Sequence, residues 1–169
     1  MGSTYEERVI TGQIDVPASR DEVWEAWTTE AGARTFFAPA CRIDLRPDGA
    51  YEMLFDLQAE PGKQGGEGVR LLAIQPKALI SLTWNAPPEL PGVRGQKTHV
   101  AVRFTALESH RTRVTLWHDG WGVGGEWDQA FVYFERAWRK VVLPRLQHRF
   151  IHGPIDWDHP PDLADEAPG

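Results

Sequence analysis

The chain is predicted to be α+β: a curved antiparallel sheet, two short helices after its first strand, and one long helix at its end. Three observations carry this. Between Arg42 and Asp119 apolar residues recur mostly at every second position, in short runs separated by turn residues. Between Glu126 and Phe150 they recur at three and four. The connections between the short runs are mostly too brief for parallel crossovers. At 169 residues, the chain is expected to hold one domain with a sizeable core.

The elements follow in order. Val9 to Val16 alternates as a strand, with Ile10, Ile14 and Val16 on one side, and Pro17 ends it. Ser19 and Glu22 form a capping box, and Val23, Trp24 and Trp27 give the helix after it one apolar face. A second short helix is expected over Glu30 to Phe37, stopped by Pro39. Strands are then expected at Arg42 to Leu45 and Ala50 to Leu57. They are joined by Arg-Pro-Asp-Gly, in which Pro47 presets one dihedral and Gly49 permits a positive one.

Pro61 to Gly68 reads as a flexible loop. Val69 to Ile74 and Leu79 to Trp84 form the next strands, and Asn85 to Gly95, with three prolines, forms a loop without ladder bonds. Lys97 to Leu107 and Arg111 to Asp119 form a hairpin. The closing helix spans about Glu126 to Phe150, and Pro144 inside it predicts a kink near Lys140. The domain is therefore expected over residues 1–151, with 152–169 an acidic, proline-rich tail, irregular or disordered.

The period of the strands assigns faces. Ile80, Leu82 and Trp84 share a side, as do Val100, Val102 and Phe104; Val114, Leu116 and His118; and Tyr51, Met53, Phe55 and Leu57. These rows are expected to face the long helix. Ser81, Thr83, Arg103, Thr105, Glu52 and Asp56 then face water, as does His99. A helix over a curved sheet leaves room for a small molecule. The candidate ligand-binding residues are Tyr51, Phe55, Trp84, Phe104, His118, Trp121, Trp127, Phe131 and Phe134. His118, at the end of an inward apolar row, reads in two ways: a core histidine bonded within the protein, or a polar contact and proton carrier for a ligand.

Several functions are disfavoured. A net charge of -6 argues against nucleic acid as the main partner. Arg136, Arg139, Lys140, Arg145 and Arg149 depart from that balance and read as the soluble, dipole-favoured late face of a helix. The single cysteine, Cys41, excludes an internal disulfide. The polar opening residues and the lack of a long apolar run lead to an expected cytoplasmic location without membrane insertion. No cofactor or metal is expected. Gly120 to Gly125 lacks the lysine of a phosphate loop, Glu126 and Asp128 suit a helix start, and His148 with His152 lacks a supporting motif. No Ser–His–Asp arrangement is expected, because Ser81 points outward, Ser19 is a cap and Ser109 lies in a turn.

Val16 to Thr28 (Val-Pro-Ala-Ser-Arg-Asp-Glu-Val-Trp-Glu-Ala-Trp-Thr) resembles the opening of START-like, SRPBCC-superfamily proteins. Pro47 to Tyr51, Gly66 to Pro76, Leu82 to Trp84 and Leu116 to Trp121 continue the resemblance over residues 8–150. Within the superfamily the chain most resembles the group related to the C-terminal domain of the activator of the heat-shock-protein-90 ATPase. The resemblance implies a helix-grip fold with a cavity that relatives use for hydrophobic ligands. Three functions stand open: binding of a small hydrophobic or aromatic molecule, docking on a chaperone or a second copy of the chain, and a cyclase- or hydrolase-type enzyme with His118 as acid–base. Trp117 and Leu54, on the outward face, would serve the second.

Overall fold

The computed structural model describes residues 7–164. Five strands form an antiparallel sheet in the order β1 (Ile10–Val16), β7 (Arg111–Asp119), β6 (Thr98–Glu108), β5 (Leu79–Trp84) and β4 (Leu71–Gln75). The pair β2 (Ala40–Ile43) and β3 (Tyr51–Leu54) forms a second, two-stranded ladder. Isolated bridges, Ala50 with Arg70 and Leu54 with Gly65, tie it to the main sheet, so the expected single sheet is interrupted at the glycine-rich loop. Irregularities of register at Leu71/Ala73 and Ala106/Glu108 bend strands β4 and β6.

Helix α1 (Arg20–Thr28) starts at the predicted capping box. Ser19 Oγ accepts from the Glu22 amide at 3.2 Å, and the Ser19 amide donates to Glu22 Oε1 at 3.3 Å. Its Val23, Trp24 and Trp27 are buried, as their spacing requires. Helix α2 is shorter than expected, ending at Ala33 rather than Phe37. The Ala33 carbonyl takes the amides of Phe36, Phe37 and Ala38, an overwound turn that buries both phenylalanines before Pro39.

Two local expectations are corrected. In the Arg-Pro-Asp-Gly turn the positive φ belongs to Asp48 (63°), not Gly49. Glycine is needed at 49 for a different reason: a Cβ there would run into the carbonyl oxygens of Asp44 and Arg46. Strand β3 also stops at Leu54, where the amides of Phe55 and Asp56 both turn to the Gln64 carbonyl. Tyr51 and Met53 are buried, but Phe55 and Leu57 are 46% and 48% exposed.

The closing helix has three parts. Helix α4 (Glu126–Arg136) and helix α5 (Leu143–His152) flank a π-helical segment, Ala137–Val142. This is the disturbance that Pro144 predicts. Proline has no amide to give Lys140 and its ring would press on that carbonyl. The wider π turn meets this by stepping one residue further, and the Leu143 amide donates to the Trp138 carbonyl. Within the loop 85–95, Pro91–Arg94 forms a short helix, α3.

The segment after Gly153 holds neither helix nor strand over its described residues, yet it is docked rather than loose. Ile155 is buried, its amide bonds Thr35 O at 2.9 Å, and Trp157 Nε1 donates to Arg34 O at 2.6 Å. No helix among the described residues is long and apolar enough to cross a membrane.

Candidate functional site: a cavity under the closing helix

A cavity of about 440 Å³ lies between the end of β5, the turn after α2 and one face of the closing helix. That volume falls within the range of small-molecule sites. Its aromatic wall comes from four separate places in the chain. Trp84 ends β5, Phe37 comes from the overwound turn, Trp138 from the π segment, and half-exposed Phe55 from the rim beyond β3. Trp84 and Trp138 have ring centroids 5.2 Å apart, and Phe37 stacks on Trp84 at 6.1 Å. Phe134, Ala137, Val141 and Val142 close the helical side, and Asn85 to Pro88 the opposite side.

Arg94 staples the rim. Its guanidinium donates to Ala86 O at 2.5 Å, Gly62 O at 2.8 Å and Gly65 O at 2.7 Å, and lies 3.4 Å from Glu67 Oε1. Burial raises the cost of ionising Glu67, but the amides of Gln64 and Gly65 outweigh it and hold the carboxyl below its ordinary value. The segment expected to be a flexible loop is thus pinned along its length, with Gly65 and Gly66 against the cavity.

The nine sequence-derived candidates separate into three groups. Phe55, Trp84 and Phe134 line the cavity. Tyr51, Phe104 and His118 lie in the packed interior. Tyr51 donates to Trp27 O at 2.7 Å, and burial, with Cys41 beside it, keeps its phenol well above its usual pKa. Phe104 meets Trp24 edge-on at 5.3 Å. Trp121, Trp127 and Phe131 form a separate aromatic cluster at the glycine joint. Trp121 lies 6.4 Å from Trp127 and 5.4 Å from Phe131, over which Arg8 sits at 5.1 Å. Gly122 makes this possible, since any Cβ there would enter the Trp127 ring.

His118 is fully buried, and both its nitrogens are used within the protein. Trp138 Nε1, which can only donate, approaches Nδ1 at 3.0 Å, so Nδ1 is the acceptor and the proton sits on Nε2. Nε2 then donates to Thr98 Oγ1 at 2.7 Å, and the Thr98 hydroxyl donates to Trp84 O at 3.4 Å. Burial, helped by nearby His99, pushes the imidazole down to about 3. A neutral ring with no free lone pair can position Trp138 and Trp84, two walls of the cavity. It offers no vacant site for proton transfer.

The outward sheet face overturns one expectation. Ser81, His99 and Asp119, on β5, β6 and β7, are joined across the strands. Ser81 Oγ lies 2.8 Å from His99 Nε2, and His99 Nδ1 lies 2.7 Å from Asp119 Oδ1. The order of atoms is that of an acyl-transfer triad. Ser81 sits in the middle of β5, however, with strands paired on both sides, so the amides around it serve the sheet rather than an oxyanion hole. The three residues also face away from the cavity, on the side opposite Ile80, Leu82 and Trp84.

Sequence reasoning missed Phe37, Arg94, Trp138 and two cations as lining or rim residues. Trp138 was visible as an inward helix position. Arg136 and Arg145, expected on the soluble helix face, instead border the cavity. Phe37 depended on the turn that replaces the end of α2, for which Pro39 was the only signal.

The family model described as Activator of Hsp90 ATPase homolog 1-like protein matches residues 17–150. Solved structures share the fold. CalU16 from Micromonospora echinospora is 24% identical with a TM-score of 0.63, the match covering 89% of this chain and 78% of that one. The Aha1 dimer from Colwellia psychrerythraea is 18% identical with a TM-score of 0.66, covering 86% and 98%. DynU16, from the dynemicin biosynthetic locus, is 17% identical with a TM-score of 0.64; the match covers 88% of this chain, which spans only 49% of that protein's length. An HSP90 activator from Plasmodium falciparum is 12% identical with a TM-score of 0.61, covering 86% and 96%. No curated protein matches the chain in sequence.

Proposed function

We propose, for a chain that belongs to the Activator of Hsp90 ATPase homolog 1-like family, that the cavity under the closing helix binds a small, largely apolar or aromatic molecule. The observation that carries this is the wall of Phe37, Trp84 and Trp138 around about 440 Å³ of space. Four chain segments bring aromatic rings to one place without filling it with their own side chains. The flat faces of Trp84 and Trp138 suit a ring or a planar chain. Arg94 and the His118–Thr98 pair hold the walls, which lowers the entropy cost of binding.

A thermal-shift screen against apolar and aromatic metabolites tests the reading. A ligand at a hundred times its dissociation constant adds about 2.7 kcal/mol of stability. For a domain of this size that raises Tm by roughly 5 to 10 °C. A flat response across the screen would count against it.

A second reading, docking on a chaperone or on a second copy of the chain, draws on the Aha1 dimer and the HSP90 activator among the structural relatives. On this chain it is supported by exposed apolar residues away from the cavity, with Val123 71% and Ile151 55% exposed. Sedimentation of the chain alone and with a chaperone of the HSP90 type distinguishes it.

A further inference from the structure

We infer that the ligand of this cavity is an amphiphilic acid, whose apolar body lies against Trp84 and Trp138 and whose anionic head sits in an adjoining cationic chamber. The inference rests on the cavity being a ligand site and adds the chemical class. Among the described residues, the only charged side chains on the cavity wall are Arg136 and Arg145, and no carboxylate joins them there. Beside it, sharing Arg136, Val141 and Arg145, lies a second space of about 250 Å³ that adds Lys140 and the segment Pro160–Ala164. An apolar hole thus adjoins a smaller chamber that, among the described residues, holds three cations and one acid, Asp162, on a chain whose net charge is -6.

These cations are not spent elsewhere. Among the described residues Arg136, Lys140 and Arg145 form no ion pair. Their neighbour Arg139, by contrast, bonds Thr11 O at 2.7 Å and lies 3.9 Å from Glu135. Arg145 is held in place over the Trp157 ring at 5.6 Å, and Trp157 is itself fixed to Arg34 O. Burial disfavours the Arg145 charge, and the Asp162 carboxylate partly compensates through space. A guanidinium that is partly desolvated and oriented by a ring is suited to a carboxylate. Asp162 stands in the chamber as an internal competitor for the same cations.

The test titrates the full chain with pyrenebutyric acid and with pyrenebutanol, which share a body and differ in charge. Pyrene emission on tryptophan excitation reports binding. The acid is expected to bind roughly tenfold more tightly than the alcohol, the scale of one charge-assisted contact. The Arg136→Gln/Lys140→Gln/Arg145→Gln triple variant, which removes all three of these cations, should abolish the advantage of the acid over the alcohol when both are measured on that variant. Asp162→Asn should tighten the acid alone.

Equal binding of acid and alcohol to the unmodified chain would overturn the inference and leave the cavity reading standing. An acid preference that survives the triple variant would also overturn it, by placing the head elsewhere. Binding of neither probe would remove the cavity reading together with the inference.

Discussion

His118 makes stability depend on pH in a way that one substitution isolates. In the folded chain the ring is buried and neutral, with an ionisation pushed down from 6.5 to about 3. In the unfolded chain it titrates near 6.5, so between these values the unfolded state binds the proton and the folded state does not. Stability is therefore unaffected by this group above about pH 6.5 and falls as pH drops toward 3. The slope approaches about 1.4 kcal/mol per pH unit, or about 2.7 kcal/mol by pH 4.5. The informative quantity is a difference between two chains that share every other titratable group. Urea unfolding would be measured at several values between pH 7 and 4.5 for the native chain and for His118→Gln, whose amide keeps a donor and an acceptor. The variant should be less stable at pH 7, and the gap should narrow by about 2 to 3 kcal/mol at pH 4.5. Parallel curves would refute the buried, neutral assignment.

Three further outcomes are expected. Trp138→Phe keeps an aromatic ring but leaves His118 Nδ1 without its donor; it should cost about 1 to 3 kcal/mol in urea unfolding, and a loss below half of one would mean the bond is not made. Arg94→Met frees the carbonyls of Gly62, Gly65 and Ala86, so amide exchange over residues 62–68 should accelerate while β6 and β7 stay protected; unchanged exchange would deny Arg94 its role as staple. Ser81 should stay unmodified by a fluorophosphonate, because its chain to His99 and Asp119 lacks an oxyanion hole; labelling that disappears in His99→Ala would show a working nucleophile instead.

The elements that were legible in the sequence were those whose signal is local. The Ser19–Glu22 box, the alternation in β5, β6 and β7, and the three-and-four spacing from Trp127 to Val141 each encode their own geometry. Pro144 encoded a break near Lys140, although not that it takes the form of a π turn. The cavity was less legible because it depends on distances between elements. Phe55 kept its place on the wall although its strand ended earlier than its period implied. Phe104 and Trp84 end or extend inward rows alike, yet only Trp84 reaches open space, since α1 covers Phe104 with Trp24 and Trp27. His118 was placed on the right face but could not be given partners, because Thr98 and Trp138 are each 20 positions away. The Ser81–His99–Asp119 chain escaped because outward alternation says nothing about which strands lie side by side.

The cavity claim is tested most directly by filling the cavity. Ala137 lies on its helical wall, and leucine there adds volume while keeping helix propensity. The dissociation constant of the strongest ligand from the thermal-shift screen would be measured for the native chain and for Ala137→Leu. Binding weakened tenfold or more, with Tm of the free protein unchanged or raised, is the result predicted for a ligand lying against Trp84 and Trp138. An affinity equal to that of the native chain would place the ligand elsewhere and contradict the account.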